Sequence, residues 1–131
     1  ERAGTLFSRL TLGSFSGLKT DYSENDEPVL QCVRPDGNVV DVSGMSDGTL
    51  DQLYLSLRLA TLEKYLETNE PMPFIVDDIL IRFDDDRARA TLEVLADLSR
   101  KTQVLFFTHH ERLAGMAKEL KTNVGVYLRK M

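Results

Sequence analysis

Two carboxylates side by side, Asp77 and Asp78, close the apolar run Pro73-Phe74-Ile75-Val76, and a second apolar run, Gln103-Val104-Leu105-Phe106-Phe107, ends on Thr108-His109. Short runs rich in β-branched residues and phenylalanine read as buried strands of a parallel sheet. Such sheets bind ligands beyond the carboxyl ends of their strands. Carboxylates at that edge suit phosphate chemistry. Magnesium takes oxygen ligands and is held by one or two carboxylates together with substrate phosphates, so Asp77 is the natural metal-side ligand. Asp78 is placed to orient or deprotonate an attacking water, and His109 to touch a transferring phosphate. A plainer role suits the same residues: Asp at a strand end also caps a turn or helix, and a histidine there also closes a loop.

These residues need elements to position them. Residues 1–18 carry Leu6, Phe7, Leu10 and Leu12 at loose helical spacing, ending near Gly13. Val29–Val33 and Val39–Val42 flank Pro35-Asp36-Gly37, a turn signal between β-rich runs, and predict a hairpin. A helical pattern from Leu50 to about Thr68 has leucines on two stripes, which places it between layers. The spacing then predicts a strand ending at Asp77 and a helix over 84–99, with Asp84 to Asp86 at its positive end. A strand over 102–108, a short helix through Leu113 and Met116, and a last strand over 123–128 follow. This alternation implies an α/β fold with a mainly parallel sheet flanked by helices and preceded by the hairpin.

At 131 residues and 42% hydrophobic composition, the chain supplies one modest core. It has no run long enough to span a bilayer and no signal-peptide pattern, from which a soluble, cytoplasmic protein is expected. Glu1 in place of methionine reads as a piece of a longer chain, or as the product of processing. The single Cys32 cannot form an internal disulfide and fits a core or strand position. A net charge of −5 and a pI near 5.0 argue against a broad electrostatic clamp on nucleic acid. Acidic residues concentrate at 21–27, read as a solvated loop, and at 77–86.

A tempting phosphate loop, Gly13-Ser14-Phe15-Ser16-Gly17-Leu18-Lys19-Thr20, fails on inspection. Leu18 occupies the place of the second glycine, and no apolar strand launches the segment. Lys19 and Thr20 are expected to be ordinary surface residues.

Met45-Ser46-Asp47-Gly48-Thr49-Leu50-Asp51-Gln52, running into Leu53 to Ala60, resembles the signature motif and signature helix of ABC-type ATPase heads. The resemblance is to the SMC-like branch typified by the YhaN family and covers about residues 29–131. It implies that Asp77 is the Walker B aspartate, Asp78 the neighbouring catalytic carboxylate, Asp84 the D-loop aspartate and His109 the switch histidine. It further implies ATP and Mg2+ as cofactors, and a signature that contacts the γ-phosphate held by the opposite head of a dimer. Physically, a Ser-x-Gly helix start offers free N–H groups, a favourable dipole, the Ser46 hydroxyl and close approach at Gly48. Ser46 as a simple N-cap and Gly48 as a turn residue is the other reading.

The sequence departs from the commoner pattern in two places. Asp78 stands where most such ATPases have glutamate, and Asp47 replaces a signature glycine, both of which suit a slow, switch-like enzyme. Neither a Walker A nor a Q-loop is present. The resemblance therefore implies a C-terminal lobe over 21–131, with 1–20 as the returning end of a coiled coil and its connector. Its partners would be a Walker A-bearing N-terminal lobe, a second head, and DNA through the parent, with no membrane. Two other functions fit part of the pattern: a stand-alone Mg2+-dependent phosphoesterase or nuclease of Toprim-like type, and a non-catalytic interaction module.

Overall fold

A computed structural model describes residues 2–77, 84–108 and 110–119. The chain divides into two compact units, Glu1–Leu62 and Glu63–Met131.

In the first unit, helix α1 (Arg2–Leu10) buries Leu6, Phe7 and Leu10. It stops through left-handed backbone at Leu12 (φ 55°) and Gly13 (φ 82°). Gly13 N–H donates to the Ser8 carbonyl (2.9 Å) and Leu12 N–H to the Arg9 carbonyl (3.2 Å), the paired bonds of a Schellman ending. A three-stranded antiparallel sheet follows: β1 (Gly17–Tyr22), β2 (Pro28–Val33) and β3 (Val39–Asp41), in that spatial order. Cys32 sits in β2 opposite Leu18 and Val40. The β2–β3 hairpin turns at Pro35-Asp36, with Gly37 at φ 91° and Asn38 N–H bonded to Asp36 Oδ1, as the turn chemistry predicts.

A 3-10 turn (Val42–Gly44) leads into the long helix α2 (Asp47–Leu66). Phe7, Phe15, Cys32 and Leu53 form the core of this unit, with Leu18, Leu30, Val40, Val42, Met45 and Leu57 packed against them. Helix α1 and β1 approach closely at Gly4, where an added Cβ would lie 3.3 Å from Leu18 N and 3.5 Å from Gly17 Cα.

In the second unit, β4 (Phe74–Asp77) and β5 (Val104–Phe107) pair in parallel, connected through helix α3 (Asp85–Leu98). Helix α4 (Glu111–Lys118) follows β5. Ala88 and Leu92 of α3 meet Leu113 and Met116 of α4, with Phe106 and Ala117 against them. The ion pair Arg112–Asp85 ties the starts of the two helices.

The α/β class is as expected, but the sheet is more mixed than a mainly parallel one: among the described residues three strands are antiparallel and two parallel. Strand β1 is the main addition. It takes in Lys19, Thr20 and Asp21, whose types alone suggest surface and loop, because β2 supplies a pairing edge that composition does not reveal. The false phosphate loop is thereby a helix ending followed by an antiparallel strand. Strand β4 alternates buried Phe74 and Val76 with exposed Ile75 and Asp77, so it is covered on one face rather than two. The strand expected over 123–128 lies outside the described residues.

Candidate functional site

Ser46 precedes α2, and its geometry is that of an N-cap. Thr49 N–H donates to Ser46 Oγ (3.2 Å), Ser46 Oγ donates to Thr49 Oγ1 (2.9 Å), and Leu50 N–H donates to the Ser46 carbonyl (2.9 Å). The cap satisfies one of the orphan N–H groups of the first turn. Met45 is anchored in the core, while Ser46 and Asp47 are exposed and Gly48 is half-buried in the first turn. A 20-residue helix with an exposed serine at its positive end suits an anion through its dipole.

Asp77 ends β4, is exposed, and lies opposite Phe107 in the parallel register. The chain therefore leaves β4 and β5 at the same edge of the sheet. Asp78 and His109 lie outside the described residues, so the paired carboxylate and the imidazole have no geometry to set beside Asp77. Thr108, between Phe107 and His109, accepts from His110 N–H through its hydroxyl (3.1 Å). One exposed carboxylate at a strand's carboxyl end fits magnesium, which keeps several waters and shares its remaining sites with substrate phosphates. Among the described residues no group of three or more His, Cys, Asp or Glu is arranged around a metal position.

Asp84 is the N-cap of α3. Its Oδ1 accepts from Arg87 N–H at 2.8 Å, and its Oδ2 lies 3.7 Å from Arg87 Nε. The helix-capping role raised for this acidic stretch is what the geometry displays. Ser46 and Gly48 belong to the first unit, Asp77 and Asp84 to the second.

Sequence reading missed a buried polar stripe on α2. Thr49, Gln52 and Ser56 are 9%, 0% and 0% exposed and follow one another at helical spacing from the Ser46 cap. Gln52 Nε2 donates to the Leu10 carbonyl at the end of α1, and Ser56 Oγ donates to the Gln52 carbonyl (2.8 Å). The signal was present: these residues interrupt leucine rows that had already marked the helix as packed on two sides.

No family model matches the chain. Solved structures that it resembles include SMC heads. It superposes on the Smc head domain of Pyrococcus furiosus, solved bound to the C-terminal domain of ScpA, with a TM-score of 0.66 over 88% of this chain and 29% of that one, at 16% identity. A chain from a study of ATP-driven dimerization and DNA-stimulated activation of SMC ATPases gives 0.65 over 98% of this chain and 78% of that one, at 14% identity. The SMC head of Thermotoga maritima gives 0.58 at 21% identity, over 88% and 40%. The chain thus has the fold of an SMC head lobe, and it also has a relative in sequence. That relative is the uncharacterized protein YhaN of Bacillus subtilis (strain 168), 37% identical over 114 residues. The match takes in 86% of this chain and 11% of YhaN, so the chain spans about a tenth of that protein's length. Among the described residues no helix is long and apolar enough to cross a membrane.

Proposed function

We propose that the chain is the C-terminal half of a split SMC-like head, in a mainly parallel sheet completed by a Walker A-bearing N-terminal lobe. It binds and hydrolyses ATP when joined to that lobe and to a second head. The observation that carries this reading is the exposed Ser46 at the start of a 20-residue helix, in a chain with the SMC-head fold. A self-contained phosphoesterase would use that helix start only as a cap. Exposed Ile75 (56%) and Phe107 (42%) beside Asp77 also suit a lobe that another lobe covers.

In this reading Ser46 and Gly48 receive the γ-phosphate of the opposite head, and Asp84 belongs to the segment that faces it. Asp77 holds Mg2+, directly or through water, Asp78 orients and deprotonates the attacking water, and His109 senses the phosphate. The metal, when bound, neutralises charge on the phosphates. The aspartate at 78 favours slow, switch-like turnover. The parent then acts in the cytoplasm on DNA, in repair or chromosome maintenance, by analogy with SMC proteins.

The test is phosphate release from ATP and Mg2+ by this chain alone, by this chain reassembled with the N-terminal lobe, and by the Asp77→Ala and Asp78→Asn forms. Turnover only in the reassembled head, lost in both variants, is expected. Robust turnover or nucleic-acid cleavage by the isolated chain, abolished by Asp77→Ala, overturns the split-head reading in favour of a metal-dependent phosphoesterase. Insensitivity of the assembled head to Asp78→Asn leaves only an interaction module.

A further inference from the structure

Gln52 is fully buried, yet its Oε1 has no hydrogen-bond partner among the described residues. A buried acceptor without a partner is a cost that leucine or methionine would avoid. The other end of the amide shows what the residue does. The Schellman ending of α1 satisfies the Ser8 and Arg9 carbonyls, Thr11 N–H and Oγ1 both reach the Phe7 carbonyl, and Ser14 N–H takes the Thr11 carbonyl. The Leu10 carbonyl, one of the orphans of the last turn, accepts from Gln52 Nε2. A carbonyl only accepts, so the amide nitrogen must face it.

Gln52 lies one helical turn beyond Thr49, whose N–H and hydroxyl define the Ser46 cap. On the other side α1 is seated on β1 through Gly4, with little room for sliding. We infer that Gln52 is a positioning residue: it fixes the end of α1 to the second turn of α2, so that the placement of α1 sets the geometry of the Ser46–Gly48 turn. The functional weight of this rests on the proposal that the turn receives a nucleotide phosphate. A displacement of α1 would reach the turn through a directional bond as well as through apolar contacts. Apolar contacts alone slide more freely, because they have no preferred direction.

The test uses the full 131-residue chain and the Gln52→Met form, which keeps length and volume and removes the donor, with Gln52→Leu as a second apolar variant. Amide exchange is followed residue by residue, together with the carbonyl carbon shift of Leu10 and the thermal midpoint. Coupling predicts that the Leu10 carbonyl shift moves and that exchange at Thr49 and Leu50 accelerates about five- to tenfold, with the midpoint unchanged or higher. A uniform acceleration along α1 and α2 with a lowered midpoint makes Gln52 a packing residue and overturns the inference. Unchanged exchange at Thr49 and Leu50 in both variants overturns it equally. No nucleotide enters this experiment, so the coupling can fail while the phosphate reading stands. Conversely, ATP-dependent pairing of reassembled heads that is indifferent to Ser46→Ala removes the phosphate reading while leaving the coupling intact.

Discussion

Ser46 combines two roles that one pair of substitutions can separate, a helix cap and an anion donor. Ser46→Ala removes the acceptor for Thr49 N–H and the donor to Thr49 Oγ1. Loss of a serine cap costs about 1 kcal/mol, with a range of about 0.5 to 2. Thr49 is buried, and its hydroxyl loses a donor, so the upper half of that range is expected. For a domain of this size that lowers the thermal midpoint by about 3 to 6 °C. Ser46→Asp restores an acceptor for Thr49 N–H and adds a charge that the helix dipole favours, so its midpoint should return to within about 1 °C of the parent form. The same charge placed about 4 Å from a bound phosphate costs up to about 4 kcal/mol at an effective dielectric of about 20, close to a thousandfold in affinity. The assay is ATP-dependent association of reassembled heads, read by light scattering alongside thermal melts. Both variants should lose association, and only the alanine form should lose stability. A stable Ser46→Asp head that pairs as well as the parent refutes the phosphate role, and an undiminished melt for Ser46→Ala refutes the capping argument.

Burial pushes the Cys32 thiol from its ordinary 9.0 up to about 11. The folded state thus favours the protonated form: its contribution is complete below about pH 9 and is lost as pH rises from about 9 to 11, at about 1.4 kcal/mol per tenfold change in proton affinity. Alkylation at pH 8 should be slow in the native chain and accelerate on adding urea; equal rates in both would show that Cys32 is not buried. At Gly4, alanine gains about 1 kcal/mol of helix propensity but must displace the Leu18 backbone slightly, so Gly4→Ala should melt within about 1 kcal/mol of the parent. Gly4→Leu should lose about 1 to 3 kcal/mol through overpacking, checked by urea titration. Asp84→Ala should cost about 1 kcal/mol through loss of the α3 cap, with faster amide exchange at Arg87; Asp84→Asn should recover most of it.

Legibility in the sequence followed the locality of the signal. Asp84 before an apolar helical pattern, Pro35-Asp36-Gly37 between β-rich runs, and Ser46 before a leucine-rich helix were all readable, because capping and turn chemistry act within a few residues. The pairing of β4 with β5 was readable from two apolar runs separated by a helix. Strand β1 was not: Lys19, Thr20, Asp21 and Tyr22 have no hydrophobic alternation, and their β conformation comes from pairing with β2. The one-sided burial of β4 was equally hidden, since an apolar run reads the same whether one face or two are covered. The Gln52–Leu10 bond spans 42 residues, and no local pattern foretells it. Asp77, Ser46 and Gly48 stood out as candidates by type and order, because a strand end and a helix start are marked by neighbouring residues.

The same bond bears on the order in which the first unit folds. Closing a loop of about 40 residues carries an entropy penalty that grows with the logarithm of its length. All three antiparallel strands lie inside that loop and pair through short local turns. Once they form, only α1 and α2 remain to be brought together, and much of the intervening chain is already ordered. The meander is therefore expected to form early and the union of α1 with α2 late. Whatever change in stability a Gln52 substitution brings should then appear in the unfolding rate rather than in the refolding rate.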